Sequence, residues 1–215
     1  MKFILNASIN TLAIQSNLKR WNKSFSEKCL LCPNKDSTLH ILNGCKTMLT
    51  QERYTWRHNN ILKYITDNIN NKQFTVYTDL SPKQTINGGT IPPHLAVTPL
   101  RPDIVIMDNS TINIFELTCP FETNIDKQHN YKMNKYAHLL TDITTLKPSL
   151  IAFEIGARGT VTPENRDRLR KLHTFIDKSI TLKQFTSKIS EISVISSYYI
   201  FLQRKEPSWS SPQLL

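Results

Sequence analysis

Two acidic residues in the middle of the chain, Asp103 and Glu116, could carry metal-dependent chemistry. They belong to two apolar, β-rich runs at 101–107 and 111–118, which a polar turn at 108–110 separates. This pattern predicts a β-hairpin, which can bring the start of one strand beside the end of the next. Two carboxylates held close together repel unless a cation lies between them. Hard oxygen ligands suit Mg²⁺, and a metal held in this way can activate water against a phosphodiester.

The side-chain directions that this hairpin predicts allow the two acids to meet. Side chains alternate between the faces of a strand, so two sets of residues should each share a face. The sets are Asp103, Val105 and Met107 on the first strand, and Ile112, Ile114, Glu116 and Thr118 on the second. The alternative is that both acids are solvated residues at strand ends.

A second candidate site lies near the N-terminus, where Cys29, Cys32, His40 and Cys45 have the spacing C-x2-C-x7-H-x4-C. Three thiolates and one imidazole can complete a closed tetrahedral zinc site. No ligand position would then be open, so we expect this zinc to be structural rather than catalytic. The alternative is a set of free thiols. Cys119 lies outside the set and is predicted to be a small buried residue.

The elements that must position these residues follow from hydrophobic periodicity. We predict a helix at 46–70, strands at 74–77 and 150–155 around the hairpin, and helices at 124–141, 163–178 and 181–201. Thr162 and Pro163 are typical of a helix start. A polar loop with Gly88-Gly89 and Pro92-Pro93 precedes the hairpin and is predicted to be functional or mobile. This order predicts an α/β fold with a mixed β-sheet flanked by helices.

The composition favours a polyanionic partner. The 215 residues include 27 Lys and Arg against 17 Asp and Glu, which gives a formal net charge of +10. Nucleic acid is the first candidate partner for such a chain, and ribosomal contact or simple solubility is the alternative. No apolar run approaches the ~20 residues of a membrane-spanning helix, and the N-terminus lacks a signal-peptide core. We therefore expect an intracellular protein without disulfides.

Cations and an aromatic ring surround the cysteine cluster. The residues are Lys19, Arg20, Trp21, Lys23 and Lys28. Such a mixture suits contacts with a phosphate backbone and stacking on unpaired bases. The alternative is that Trp21 packs the cluster onto the next domain.

Several motifs occur in one order along residues 20–180. The cysteine cluster is followed by Arg57-His58-Asn59, by Arg101-Pro102-Asp103 with Glu116 after twelve residues, by Lys132-Met133-Asn134-Lys135-Tyr136 and by Gly156-Ala157-Arg158-Gly159. Together they resemble the C-terminal part of non-LTR retrotransposon proteins that carry a restriction-like endonuclease of the PD-(D/E)XK type. Those proteins have a reverse transcriptase, then a zinc knuckle of this spacing, then the nuclease.

The resemblance implies a restriction-endonuclease-like fold with a small N-terminal CCHC zinc knuckle. The predicted organisation is a remnant of an upstream linker at 1–21, the knuckle at 22–48, the nuclease domain at 49–205 and a disordered tail at 206–215. The expected metals are Mg²⁺ or Mn²⁺ at the nuclease site and one structural Zn²⁺.

The resemblance also implies roles for individual residues. Asp103 and Glu116 would bind the catalytic metal, and Lys132 or Lys135 would neutralise developing charge. Tyr136 would orient the lysines or contact the phosphate backbone. A further set would contact DNA, although its members could equally be structural hydrogen-bond donors. This set is Arg57, His58, Arg101 and Arg158.

The implied function is nicking of a DNA target site, whose exposed 3′ end primes reverse transcription in the parent family. Element RNA is a further candidate partner, and we expect no membrane partner and no small-molecule cofactor. A nuclear protein is predicted.

The chain departs from the family pattern in two ways. It contains no reverse transcriptase, so we interpret it as a fragment or gene remnant. The lysine expected two residues after the second acid is replaced in Glu116-Leu117-Thr118, and the resemblance implies that a helix lysine supplies this charge. Two alternatives stay open: a catalytically inactive nucleic-acid-binding remnant, and a junction resolvase with the same carboxylates.

Overall fold

The computed structural model describes residues 2–70, 72–81, 100–143 and 146–215. The predicted polar loop with Gly88-Gly89 and Pro92-Pro93 lies outside these residues. The α-helices are α1 (Lys2–Ser8), α2 (Gln15–Arg20), α3 (Lys46–Thr50), α4 (Arg53–Asp67), α5 (Ile125–Tyr136), α6 (Leu139–Asp142), α7 (Pro163–His173) and α8 (Leu182–Leu202). The strands are β1 (Thr75–Thr78), β2 (Ile104–Met107), β3 (Thr111–Thr118) and β4 (Lys147–Glu154). Short π- and 3₁₀-helical segments occupy His40–Gly44, Glu122–Asn124 and Gln203–Lys205.

The strands form one four-stranded mixed sheet in the order β1-β2-β3-β4. β1, β2 and β3 are an antiparallel meander, while β4 runs parallel to β3. A parallel neighbour requires a crossover connection, and α5 and α6 lie within that connection. The predicted mixed sheet with flanking helices is therefore confirmed.

The two faces of the sheet are buried by different helices. One face packs against α4, α7 and α8 through a large apolar cluster that includes Ile61, Ile65, Ile104, Phe115, Phe153, Leu169 and Phe185. The other face packs against α5 and α6 through Val105, Ile114, Tyr136 and Leu139. Strand alternation puts Asp103 on the same face as Val105 and Glu116 on the same face as Ile114. Both acids therefore lie on the α5 side of the sheet.

Helix starts follow local side-chain chemistry. Thr162 accepts a hydrogen bond from the Asn165 amide, and Pro163 occupies the first turn of α7, as the sequence predicts. Thr181 and Gln184 form a reciprocal capping box at the start of α8. Within the described residues, no helix has both the length and the apolar character needed to cross a bilayer.

Both ends of the chain pack against helices. The Phe3 ring, within the segment predicted to be a linker remnant, lies 5.1 Å from Tyr198 and 5.6 Å from Phe201 of α8. The predicted disordered tail, 206–215, lies against α4, because the Trp209 ring packs 5.8 Å from Trp56. The main chain of the tail is also held: the indole of Trp56 donates to Pro212 O at 3.0 Å. Buried aromatic surface offsets the entropy lost in ordering such segments.

Arg57 is fully buried, which corrects its prediction as a DNA-contacting residue. Its Nη1 donates to Leu42 O at 2.9 Å and to Ser197 Oγ at 3.0 Å. Its Nη2 donates to Asn43 Oδ1 at 2.6 Å and to Cys119 O at 2.9 Å. The structural alternative therefore holds, and this guanidinium joins the N-terminal segment, α8 and the end of β3.

We predict that Arg57→Met lowers the free energy of unfolding by about 2–4 kcal/mol, because buried acceptors lose a charged donor. Arg170→Met is the matched control, since the Arg170 side chain is 62% exposed and pairs only with Asp167 among the described residues. Urea denaturation followed by circular dichroism measures both variants. Equal midpoints for the two variants would contradict the structural role of Arg57.

Candidate active site and zinc-binding cluster

Asp103 and Glu116 lie directly opposite one another at one end of the sheet. The β2–β3 register pairs Ile104 with Phe115, so the two acids form the next opposed pair. Glu116 Oε1 accepts a hydrogen bond from the Asp103 amide at 3.1 Å. Asp103 Oδ2 accepts one from the Leu117 amide at 2.7 Å. Each carboxylate is thus fixed by the main chain of the other strand.

Lys132 on α5 provides the positive charge between the acids. Its Nζ lies 2.7 Å from Glu116 Oε2 and 3.7 Å from Asp103 Oδ2. Lys135, the other predicted lysine, is exposed, and its Nζ lies 5.0 Å from the centre of the Tyr136 ring. The structure therefore separates the two predicted lysines and brings Lys132 to the carboxylates.

The electrostatics of the acid pair are asymmetric. Burial opposes ionisation of Asp103, but His58 and Lys132 hold the pKa of that carboxyl below its usual range. Burial, together with the nearby Asp103 carboxylate, raises the pKa of Glu116 to about 7. Burial disfavours the charged ammonium of Lys132, yet the two acids raise its pKa above the ordinary value. The two carboxyl groups supply hard oxygen donors that a divalent cation could bind, with the Lys132 ammonium beside them.

His58 contacts Asp103 and also contributes to the lining of an open cleft. Its Nε2 is 3.3 Å from Asp103 Oδ2, and its Nδ1 is 3.1 Å from Asn59 Oδ1. Burial disfavours the imidazolium, but the Asp103 carboxylate raises the pKa of His58 above its ordinary value. The predicted phosphate contact of His58 stays a prediction, whereas its contact with Asp103, a candidate metal ligand, was not predicted because the spacing between α4 and the hairpin gave no signal for it.

Tyr136 closes the site from the α5 side. Its hydroxyl donates to Arg101 O at 3.1 Å, and the residue is buried, so the prediction of a phosphate contact is wrong. Its ring centre lies 5.4 Å from Lys132 Nζ, a distance that allows cation–π attraction. The alternative role, orienting the lysines, agrees with this geometry. Arg101 itself is exposed at the start of the hairpin.

Arg158 is held by a structural partner. Its Nε lies 2.7 Å from Glu122 Oε2, and its guanidinium lies over the Phe121 ring at 4.8 Å. Its amide donates to Glu122 Oε1 at 2.7 Å. The predicted DNA contact is therefore replaced by an ion pair that fixes the turn after β4.

A further buried acid, Glu154, was missed from the sequence. Glu154 is fully buried at the end of β4, beside Thr118 of β3. Its carboxylate lies 3.1 Å from His129 Nδ1 and 3.1 Å from Arg168 Nη1. His129 precedes Lys132 by one helical turn, so this ion pair helps to fix α5 against the sheet. The available signal in the sequence was that Glu154 is the single acid within the apolar run at 150–155.

An open cleft of about 660 Å³ begins at Lys132 and His58 and extends to Leu39 and Gly44, the sequence neighbours of His40 and Cys45. Its lining includes Asn43, Tyr54, Thr55, Thr118, Asn124 and Gln128. The N-terminal segment, α4, the end of β3 and α5 therefore share one surface next to the paired acids.

The predicted metal-ligating residues of the N-terminal segment converge. The ligand atoms of Cys29, Cys32, His40 and Cys45 all lie within 4.8 Å of one another. Cys32 Sγ is 3.2 Å from His40 Nε2 and 3.9 Å from Cys45 Sγ. A tetrahedral site with Zn–S bonds of about 2.3 Å places its sulfurs about 3.8 Å apart. The cluster therefore fits a structural zinc ion.

The local chain explains why these ligands meet. Cys29 N donates to Asn34 O at 2.8 Å in a tight loop, and the Leu31 amide points at Cys29 Sγ at 3.5 Å. Tyr54 of α4 holds the other half of the cluster: its hydroxyl accepts from the Cys45 amide at 3.2 Å and donates to Ile41 O at 3.0 Å. Burial keeps the pKa of His40 below its ordinary value, which favours the neutral imidazole that metals bind.

Comparison with protein-family models gives no match, and comparison with curated proteins finds none that matches significantly.

We predict that the purified chain contains about one zinc ion and that Cys45→Ser removes most of it, because a thiolate ligand is lost. Cys119→Ser is the matched control and should retain the metal, since Cys119 lies outside the cluster. Elemental analysis after dialysis measures the metal content. Full zinc content in Cys45→Ser, or its loss from Cys119→Ser, would reject this ligand set.

Proposed function

We propose that this protein is a metal-dependent DNA endonuclease of the restriction-like type. The convergence of Asp103, Glu116 and Lys132 at one end of the sheet carries the proposal. Two carboxylates beside an amine form a constellation suited to hydrolysis of a phosphodiester. The order α4, β1, hairpin, α5, β4 supports a restriction-endonuclease-like core, because it puts both acids on one hairpin and the amine on the following helix.

The donor set at the acids fits a hard divalent cation. Asp103 and Glu116 would hold Mg²⁺ or Mn²⁺, which when bound activates water and neutralises phosphate charge. Within the described part of the chain, Asp103 Oδ1 accepts no hydrogen bond, so one carboxylate oxygen is available as a ligand. His58 limits the rotation of Asp103 through its contact with Oδ2.

Lys132 supplies the charge that the family pattern would take from a strand lysine. Its stem crosses from α5 to the sheet, and its ammonium lies beside both acids. A preorganised ammonium stabilises the charge that develops on the phosphoryl oxygens during hydrolysis. On β3, Glu116 is followed by Leu117 and Thr118 and not by a lysine. In this proposal Lys132 of α5 therefore supplies the positive charge.

DNA is the proposed substrate because of charge and shape. The formal net charge of +10 favours a polyanion, and an open cleft lies beside Lys132. In the context that the sequence resembles, the proposed reaction is nicking of a target site by the nuclease region of a non-LTR retrotransposon protein.

One observation favours a second candidate function, a nucleic-acid-binding protein without catalysis. The Lys132 ammonium lies 2.7 Å from Glu116 Oε2 and would compete there with a divalent cation. If the amine holds that position permanently, the zinc-binding cluster and the basic surface are the remaining functional elements. Nicking of supercoiled plasmid in Mg²⁺, Mn²⁺ or EDTA separates the two functions.

We predict that Asp103→Asn reduces plasmid nicking in Mg²⁺ by at least about 100-fold, because the neutral amide cannot replace the carboxylate as a metal ligand. Binding of duplex DNA without divalent metal, measured by electrophoretic retention, should stay within about 2-fold of the wild type, since phosphate contacts dominate it. Wild-type nicking should stop in EDTA. Undiminished nicking by Asp103→Asn would reject the proposed metal site.

The two lysines of α5 give a matched pair of variants. Lys132→Met should lower the nicking rate at saturating Mg²⁺ by about 100-fold or more, because transition-state charge loses its ammonium partner. Lys135→Met removes an exposed charge three residues away and should change the rate by less than about 3-fold. Similar losses in both variants would show that Lys132 acts only as part of a general positive surface.

A further inference from the structure

The segment from the end of α2 into the zinc-binding cluster presents several cations to solvent. The exposed basic residues are Lys19, Arg20, Lys23, Lys28 and Lys35. The two acids of this stretch offset only part of this charge. Glu27 pairs with one of the cations, Lys35, at 3.2 Å, and the buried Asp36 carboxylate accepts from the Gln15 amide at 2.6 Å.

Two aromatic rings lie among these cations without joining the described apolar core. Trp21 is 38% exposed and Phe25 is 106% exposed. The predicted alternative, in which Trp21 packs the cysteine cluster onto the next domain, is therefore not what the structure shows. Asn22 adopts a left-handed backbone with φ of 56°, which turns the chain out of α2. Ser24 Oγ donates to Gln15 Oε1 at 2.8 Å and fixes the turn before Phe25.

A groove of about 610 Å³ lies between α2 and the segment that carries Glu27 and Lys35. Lys19, Arg20, Asn22, Glu27 and Lys35 contribute to its lining. The Arg20 guanidinium lies 5.9 Å from the Trp21 ring centre, so cation and ring already form one unit. We call these rings, the five cations and the groove the basic-aromatic surface.

We propose that the basic-aromatic surface binds single-stranded nucleic acid, with Trp21 and Phe25 stacking on unpaired bases and the cations contacting phosphates. The bases of a duplex are already stacked, whereas an unpaired strand offers its faces to exposed rings. The groove lining carries three cations, Lys19, Arg20 and Lys35, against one acid, Glu27, and this excess of positive charge suits a phosphate backbone. The surface shares no residue with the acid pair, so this binding does not require nuclease activity.

The test uses the full zinc-loaded chain without added Mg²⁺ or Mn²⁺ and measures the fluorescence anisotropy of labelled probes. The probes are an oligothymidylate and an oligouridylate of about 20 nucleotides and a hairpin duplex of equal charge. Trp21→Ala/Phe25→Ala should weaken binding of a single-stranded probe by about 10-fold or more, because stacking is lost. Duplex binding should change by less than about 2-fold, since it depends on charge. Whichever single strand binds more tightly identifies the preferred sugar.

The controls separate stacking from charge and from folding. Lys19→Ala/Lys23→Ala should flatten the salt dependence of single-strand binding, because fewer counterions are released. Lys178→Ala/Lys183→Ala removes two exposed cations near the start of α8 and should leave that binding unchanged. These two lysines lie near one end of α8, which has 21 residues and spans about 30 Å, whereas α1 contacts the other end of this helix. Zinc content should stay at the wild-type value in every variant.

Three results would overturn the proposal. The first is wild-type affinity of Trp21→Ala/Phe25→Ala for both single strands. The second is an equal loss of duplex and single-strand binding in that variant. The third is binding to vesicles rich in phosphatidylserine but not to any oligonucleotide. Asp103→Asn should bind single strands as the wild type does, so loss of nicking and loss of strand binding are distinguishable failures.

Discussion

The repulsion between two buried carboxylates on neighbouring strands is the constraint around which this fold is arranged. Asp103 and Glu116 are opposed in the β2–β3 ladder and almost excluded from water. Their charges are tolerable only because cations approach from both sides. Lys132 reaches them from α5, and His58 reaches Asp103 from α4. The same contacts therefore fix the positions of these two helices and offset the charge of the acid pair.

Buried charges with fixed partners also occur away from the acid pair. Glu154 repeats the pattern on β4, where His129 and Arg168 surround a fully buried carboxylate. Because His129 and Lys132 are on the same helix, two ion pairs fix α5 to the sheet one turn apart. Arg57 performs a related task with carbonyl oxygens, and it connects the N-terminal segment to the end of β3. Buried charges thus position the elements that surround the cleft.

The zinc-binding cluster is part of this framework. Tyr54 of α4 holds the main chain at Cys45 and Ile41, and α4 also carries Arg57 and His58. This one helix therefore contacts the cluster through Tyr54, carries the buried Arg57 and reaches Asp103 through His58. Tyr54, Arg57 and His58 of this helix all contribute to the lining of the cleft. Among the described residues, no ion pair joins the basic-aromatic surface to the acid pair.

The sequence by itself determined the features that depend on local periodicity and ligand spacing. Strand alternation put both acids on one face, the Thr162-Pro163 start of α7 is in place, and the four Cys and His ligands meet. Tertiary structure alone decided which of two neighbouring lysines faces the acids, and that Arg57 is buried while Trp21 is not. The same is true of the ordered tail, whose Trp209 packs on α4. These outcomes depend on which distant elements pack over a residue, and local sequence patterns do not encode that packing.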